Sequence, residues 1–183
     1  EGGPVVGSVF RFYDEKRPML WIETAALVAR RHPQCRFVVF GTGPLRGEME
    51  AAAAAAGFAD RLHLPGTITQ TSLGLSLFDV FLLTSSFEGT PNVVLEASSL
   101  GVPVVATDAG GTREAVEEGV TGSVVARADA ALLAEKVGAI LADPAGWGAV
   151  RAKGPAFVET RFGLDRMLRE TLALYRLHDV RSG

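Results

Sequence analysis

Cysteine and histidine are scarce in this sequence, and it contains no long apolar run. The single cysteine, Cys35, cannot form a disulfide within the chain, and the three histidines form no zinc-type cluster with it. No stretch approaches the roughly eighteen uninterrupted apolar residues of a membrane-spanning helix. The N-terminus also lacks the charged-then-apolar order of a signal peptide. We therefore expect a cytoplasmic protein that keeps its thiol reduced.

An excess of basic residues is missing as well. The formal net charge is -3, so neither nucleic acid nor an anionic membrane surface is an expected partner. The 183 residues, 48% of them apolar and 21% charged, are enough for a globular domain with its own core. We find no repeat or linker and predict one domain over residues 1–183. Because the sequence begins with Glu1 rather than methionine, we expect it to be part of a longer protein.

Short apolar segments alternate with segments of helical periodicity through most of the chain. This order predicts an α/β fold, a Rossmann-like three-layer sandwich with a mostly parallel sheet of about six strands. We predict strands at residues 5–12, 36–41, 62–65, 79–84, 102–108 and 121–126. We predict helices at 18–31, 71–77 and 129–141, an alanine-rich helix that ends at Gly57, a helix from Pro91 that Gly101 ends, a looser segment at 147–159, and a last helix at about 162–178.

The polar loops all follow strands. Loops at residues 11–16, 41–44, 65–68, 85–92 and 108–113 each come directly after a predicted strand. The carboxyl ends of parallel strands share one edge of the sheet, and ligands bind outside that edge. The sequence therefore predicts a single binding crevice.

The stretch at residues 84–96 carries the strongest indication of a ligand. Pro91 suits the first turn of a helix, and the amides after it would lie at the positive end of the helix dipole, where a phosphate binds. Glu88 lies in the loop and Glu96 inside the helix. Because Glu96 has apolar neighbours, we expect it to be shielded from solvent and hydrogen-bonded to a ligand hydroxyl. Two carboxylates beside a phosphate site indicate a sugar nucleotide.

Two cations flank the first strand-to-helix turn. Arg11 and Lys16 are solvated surface residues in the simplest interpretation. Arg11, however, lies in an apolar run at the C-terminal end of the first predicted strand, and an arginine fork with a lysine point charge suits a diphosphate. We expect both side chains to project toward the crevice.

Other chemistries fit the sequence less well. Gly41-Thr-Gly-Pro-Leu-Arg-Gly47 is similar to a dinucleotide fingerprint, but Arg46 stands where the third glycine is required, and no acidic residue closes the next strand. A tight strand-to-helix turn that lines the crevice is the preferred interpretation. The histidines are scattered, and the serines after the fourth strand lack the nucleophile elbow of a hydrolase.

Five motifs occur here in the order typical of one enzyme family. They are Gly7-Ser-Val-Phe-Arg11 with Glu15-Lys16, Gly41-Thr-Gly-Pro44, Phe87-Glu-Gly-Thr-Pro-Asn-Val-Val-Leu-Glu-Ala97, Gly101-Val-Pro-Val-Val-Ala-Thr107, and Gly110-Gly-Thr-Arg-Glu114 with Gly119-Val-Thr-Gly122. The set resembles the C-terminal, donor-binding domain of retaining glycosyltransferases of family four (group 1). Such enzymes have the GT-B architecture of two Rossmann-like domains, so this chain would be one half of a GT-B fold.

The resemblance implies a reaction and a site. Sugar would pass from a UDP-, GDP- or ADP-linked donor to an acceptor with retention at the anomeric carbon, without a metal or other cofactor, in polysaccharide, lipopolysaccharide or glycolipid synthesis. Arg11 and Lys16 would hold the diphosphate, and Glu88 would contact the transferred sugar. Glu96 would bind the ribose. The implied donor-binding residues are Gly41, Gly43, Pro65, Gly66, Thr67, Ile68, Gly89, Thr90, Pro91, Asn92, Val93 and Glu96, with the 65–68 loop at the base and the amides of Asn92 and Val93 at the distal phosphate.

The family also implies a missing partner. Its acceptor site belongs to an N-terminal domain that this chain lacks, so we expect the isolated domain to be inactive. The last helix commonly crosses to that domain, and its apolar stripe would be partly exposed here or covered by a second copy. We expect peripheral association with the inner face of the membrane only for a full-length enzyme. The stripe consists of Leu164, Leu168, Leu172 and Tyr175.

Two departures from the family pattern leave alternatives open. Arg17-Pro18 stands where many members have a glycine that opens the helix, and Gly89-Thr-Pro91 replaces a common Pro-Phe-Gly. The sugar and its ring contacts are therefore not specified. A nucleotide-sugar epimerase half and a non-catalytic nucleotide-sugar-binding module remain the alternative functions.

Overall fold

A computed structural model describes residues 2–175, without the side chains of residues 149 and 150. Its centre is a six-stranded sheet in the order β3-β2-β1-β4-β5-β6. All neighbouring strands run parallel. The strands are β1 Val5–Val9, β2 Arg36–Phe40, β3 Leu62–Gly66, β4 Val80–Leu83, β5 Val104–Thr107 and β6 Gly122–Val125.

Helices connect the strands and cover both faces of the sheet. They are α1 Pro18–Arg31, α2 Arg46–Ala55, α3 Thr71–Leu75, α4 Asn92–Ser99, α5 Thr112–Ala115, α6 Ala130–Ala142, α7 Gly148–Phe162 and α8 Leu164–Leu174. Short 3-10 turns precede α1 and β3. Asp129 caps α6, because its side chain accepts hydrogen bonds from two amides of the first turn.

The alternation of side chains along the strands separates two cores. In β4, Val80 and Leu82 pack with α1, α2 and α6 on one face of the sheet. Phe81 and Leu83 pack with α3, α4 and α5 on the other. Since successive strand residues point to opposite faces, a continuous apolar strand must be covered on both sides. The predicted three-layer α/β fold is confirmed.

The sheet, predicted to be mostly parallel, is parallel between all its described neighbouring strands. Some predicted details are wrong. The first strand ends at Val9 instead of continuing to residue 12. Pro91 is not the first helical residue; it caps α4 with an extended ψ of 91°, and the helix begins at Asn92. The segment predicted to be loose is the regular helix α7, which accommodates Pro155.

The C-terminal helix is shorter than predicted, and the end of the prediction lies outside the described residues. α8 begins at Leu164 and ends at Leu174. Residues 176–178 fall beyond the described part of the chain. Among the described residues, no helix has the length and apolar character needed to cross a membrane.

Candidate functional site

The loop after β1 and the start of α1 form one wall of the crevice. Phe10 and Phe12 are buried, so the turn is anchored in the core while Arg11 between them is exposed. The indole N–H of Trp21 donates to the Ser8 hydroxyl at 2.6 Å, and that hydroxyl donates to the Leu82 carbonyl. This buried chain of hydrogen bonds holds the first turns of α1 against β1 and β4.

The loop after β4 forms the opposite wall and is tied to the first. The Thr84 hydroxyl lies 2.9 Å from the Lys16 carbonyl and 3.2 Å from the Arg17 carbonyl. Both the amide and the hydroxyl of Ser86 donate to the Glu15 carbonyl, at 2.8 and 3.0 Å. Side-chain and backbone donors therefore fix the distance between the two loops.

An ion pair joins the two walls. The Lys16 ammonium lies 2.7 Å from Oε1 of Glu88, and the two side chains are only 20% and 13% exposed. Sequence reasoning assigned both residues to the site but did not predict their contact. A partly buried cation with its own carboxylate is held in place before any ligand arrives.

Arg11 has a different environment from Lys16. Its side chain is 74% exposed, pairs with Glu15 at 3.4 Å and lies over the Tyr13 ring. The guanidinium is therefore a solvated group at the rim, free to change partner at small cost.

A pair of glycines supports the Glu88 backbone from the side of β5. Gly110 has a φ of +57°, and a Cβ on it would lie 2.1 Å from the Glu88 carbonyl oxygen. The Gly111 amide donates to that oxygen at 3.2 Å, and a Cβ there would lie 2.2 Å from the Gly89 carbonyl. Only glycine permits this approach of two backbones. The two glycines follow β5 in the chain. A glycine pair after a strand is a sequence signal from which this close backbone contact could have been predicted.

The N-terminus of α4 opens beside the same loop. The first backbone hydrogen bonds of the helix run from the amides of Val94 and Leu95 to the Pro91 carbonyl, at 2.9 and 3.3 Å. The amides of Asn92 and Val93 stand ahead of them at the positive end of the helix. Gly89, Thr90 and Asn92 are exposed, and Val93 is partly buried.

A groove of about 900 Å³ runs from the start of α3 along α4. Its lining includes Gln70, Asn92 and Glu96 and several hydroxyl side chains. Glu96 is exposed, so the expectation that its neighbours shield it is wrong. Val94 and Ala97 point into the core and leave Glu96 on the outer flank of α4. Its assignment to a ribose stays a prediction.

Residues 65–68, which were predicted to lie at the base, are not among the residues that line this groove, and Pro65 and Gly66 are the last residues of β3. Pro65 lines a separate cavity of about 340 Å³ together with Arg46 and Glu50. Thr67 is exposed, whereas Gly66 and Ile68 are partly buried. Residues 69–73, one step further along the chain, are the ones that meet α4.

The glycines after β2 pack against backbone. A Cβ on Gly41 would lie 1.8 Å from the Phe10 carbonyl oxygen, and one on Gly43 would lie 2.5 Å from that of Phe12. These glycines therefore let two crevice loops touch, a role that accounts for both without a ligand.

Acidic groups in the crevice are not arranged to hold a metal. Among residues 2–175, no group of three or more histidine, cysteine, aspartate or glutamate side chains is placed around a common point. The site offers cations, helix amides and carboxylates. These groups suit an anionic, hydroxylated ligand.

The fold and this site define one Rossmann-like half of a GT-B protein, with polar loops gathered at the carboxyl edge of a parallel sheet. The family described as glycosyl transferases group 1 matches residues 3–143. The chain belongs to that family.

Comparison with known proteins supports the same assignment. The Vi polysaccharide biosynthesis protein VipC/TviE of Salmonella typhi is 42% identical over 120 residues, which cover 66% of this chain and 21% of that protein. This chain thus spans well under half of that relative's length.

Two solved structures share the fold. One is a single-residue mutant of S. aureus TarM in complex with fondaparinux, alpha-GlcNAc-glycerol and UDP, with a TM-score of 0.87, 22% identity, and coverage of 94% of this chain and 35% of that chain. The other is the C-terminal domain of the group 1 glycosyl transferase LpcC from Francisella tularensis. It gives a TM-score of 0.80 and 22% identity, covering 89% of this chain and 88% of that domain. The present chain therefore has the fold of the C-terminal half of a GT-B glycosyltransferase.

Proposed function

We propose that this chain is the donor-binding half of a retaining glycosyltransferase. The observation that carries the proposal is the Lys16–Glu88 ion pair, 2.7 Å long and largely buried, beside the N-terminus of α4. The cation and the helix amides suit a diphosphate, while the carboxylate suits the hydroxyls of the attached sugar. One place in the crevice thus provides groups for both the diphosphate and the sugar of a nucleotide-sugar.

The proposed donor lies across the crevice. Its diphosphate contacts Lys16, with Arg11 turning from Glu15 to the distal side and the amides of Asn92 and Val93 donating to a phosphate oxygen. Each charge-assisted contact of this kind contributes about 1.5–3 kcal/mol. The nucleoside extends into the groove along α4, where Glu96 accepts hydrogen bonds from the ribose. UDP in the structure of TarM supports a uridine nucleotide as the first donor to test, ahead of GDP and ADP.

The chemistry assigned to these residues is stabilisation of a leaving group. The bond between the anomeric carbon and the phosphate oxygen breaks, and the nucleoside diphosphate leaves with the electron pair. Preorganised positive charge at Lys16 and at the end of α4 lowers the barrier because it meets charge that develops in the transition state. An acceptor hydroxyl forms a bond to the same face of the anomeric carbon, and its proton passes to the departing phosphate oxygen. As the family resemblance implies, the proposed reaction uses no metal.

The acceptor and the rest of the active centre are assigned to an N-terminal domain of a longer protein. The apolar stripe on α8 is exposed, with Leu164 at 64% and Tyr175 at 71%. Exposed apolar side chains in a stripe along a helix favour a partner that covers them. That domain is the proposed cover, and a second copy of this chain is the alternative. The Vi polysaccharide biosynthesis relative supports polysaccharide synthesis as the pathway class.

Calorimetry on the 183-residue chain tests the proposal. UDP, GDP and ADP are titrated beside uridine, guanosine and adenosine, so that the contribution of the phosphates is isolated. We expect one diphosphate to bind, with binding weakened about tenfold or more by Lys16→Ala and less by Arg11→Ala. Lys136→Ala is the matched control, because it removes one cation from the exposed side of α6. It should leave nucleotide binding unchanged. Binding of no diphosphate by the wild-type chain would refute the proposal.

A further inference from the structure

The Glu88 carboxylate has one source of counter-charge. Its side chain is only 13% exposed and accepts a hydrogen bond from the Lys16 ammonium at 2.7 Å, and no second donor reaches it within residues 2–175. Arg11, on the same wall as Lys16, pairs with Glu15 instead. A ligand that draws Lys16 away therefore leaves a shielded carboxylate without compensation, which is costly.

The carboxylate has little freedom to move aside, because backbone contacts fix its loop. The amide and hydroxyl of Ser86 both donate to the Glu15 carbonyl. On the other side the Gly111 amide donates to the Glu88 carbonyl at 3.2 Å, and Gly110 lies against the same oxygen. A ligand that binds at Lys16 must therefore accommodate the carboxylate where it stands.

In the proposed reaction the crevice meets two forms of the nucleotide, and these differ at the distal phosphate. In the donor this phosphate is esterified to the sugar, carries a single negative charge and stands beside hydroxyl groups that can donate to a carboxylate. In the nucleoside diphosphate that remains, the same phosphate is terminal and carries about 1.5–2 negative charges at neutral pH. The donor therefore satisfies the Glu88 carboxylate, whereas the spent nucleotide repels it.

Lys16 does not favour the donor over the product. An ammonium has three N–H donors, so it can contact a phosphate and still remain within reach of Glu88. Its positive charge attracts both forms, and the terminal phosphate more strongly. A preference for the donor has to come from the carboxylate, in a partly buried site where salt screens the repulsion of like charges poorly.

We propose that Glu88 selects the sugar-bearing nucleotide over the spent nucleoside diphosphate. The inference rests on the proposed function and gives the carboxylate a second role. Besides contacting the transferred sugar, it weakens the binding of the product that remains in the crevice. A product that leaves readily frees the site for the next donor, and product release limits the rate of many enzymes.

Calorimetry on the 183-residue chain and on its Glu88→Gln variant tests the inference. The substitution keeps the size of the side chain and one acceptor oxygen but removes the negative charge. UDP, GDP and ADP are titrated beside UDP-glucose, GDP-mannose and ADP-glucose. We expect Glu88→Gln to bind the preferred nucleoside diphosphate about tenfold more tightly than the wild type, and the nucleotide-sugar no more tightly. The ratio of the two dissociation constants should therefore shift about tenfold.

Two control variants separate selection from a general loss of binding. Glu23→Gln removes a carboxylate from the exposed side of α1 and should leave the ratio unchanged. Lys16→Met should weaken both forms of the nucleotide. A Glu88→Gln variant that binds the diphosphate no more tightly than the wild type, or that changes both affinities by the same factor, would overturn this inference alone. The diphosphate titration decides this even where none of the three sugars is the natural one. A wild-type chain that binds no diphosphate would overturn the proposed function with it.

Discussion

Neutralising one partner of the Lys16–Glu88 ion pair should destabilise the chain more than neutralising both. Lys16→Met keeps the length of the side chain but leaves Glu88, only 13% exposed, without a cation. Glu88→Gln leaves the ammonium without a carboxylate. The double variant replaces the pair with two uncharged groups, so it leaves no charge without a partner.

The expected size follows from the burial of the pair. Exposed pairs contribute about 0–1 kcal/mol, and breaking a fully buried pair costs about 3–5 kcal/mol. With exposures of 20% and 13%, the pair lies between these limits. We expect each single variant to lose about 2 kcal/mol and the double variant no more than either of them. For a chain of this size a loss of about 2 kcal/mol lowers the melting temperature by about 4–8 °C.

Urea denaturation of the wild type and the three variants provides the measurement, since a double-mutant cycle isolates the coupling between the two residues. Calorimetry adds a second readout. Glu88→Gln should bind a nucleoside diphosphate at least as tightly as the wild type, because the freed ammonium no longer has a competing carboxylate. Lys16→Met should bind it weakly. Additive losses in the cycle would show that the pair does not form in solution.

Two other predictions concern neighbouring features. Gly110→Ala should lose about 2–3 kcal/mol and displace Glu88, because its Cβ would lie 2.1 Å from the Glu88 carbonyl oxygen. Gly119→Ala, also at positive φ but facing open space, should lose only about 1 kcal/mol, and equal losses would contradict the close contact. Burial raises the pKa of the Cys35 thiol to about 11, so the neutral form is favoured in the folded state. Its contribution to stability is complete below about pH 9 and should decline by about 1.4 kcal/mol per pH unit between about pH 9 and 11. Cys35→Ala should lack this decline, and identical pH profiles of the two proteins would refute it.

The alternation of strands and helices was predictable because it depends on local signals. Continuous apolar runs such as β4, bounded by polar loops, indicate strands that are buried on both faces, and the parallel order follows from the helical connections. Boundaries were less predictable. The run from Val5 to Phe12 is mainly apolar, but β1 ends at Val9. The Phe10 amide then donates to the Phe40 carbonyl at the end of β2, and the Phe12 amide donates to the Thr42 carbonyl in the loop that follows. Local composition does not contain that tertiary contact.

The loops that form the site could be predicted from the sequence, but the contacts between their side chains could not. Lys16 and Glu88 were predicted in loops at one edge, yet their pairing depends on how two loops come together whose paired residues lie 72 positions apart in the chain. The exposure of Glu96 was mispredicted because apolar neighbours along a helix can all face away from it. The left-handed backbone of Arg17 was hidden because arginine gives no local sign of such a conformation.

The strand order has a consequence for how this site comes into existence. β1, β2 and β3 form one contiguous half of the sheet, β4, β5 and β6 form the other, and β1 and β4 meet at the seam. Lys16 belongs to the first half and Glu88 to the second, so neither half contains a crevice by itself. The core on the α1 face also contains α6, which follows β6 in the chain, so the first half is covered only when the second is present. The pocket is therefore completed only when the two halves come together, and a ligand that spans the seam would stabilise their docking rather than either half alone.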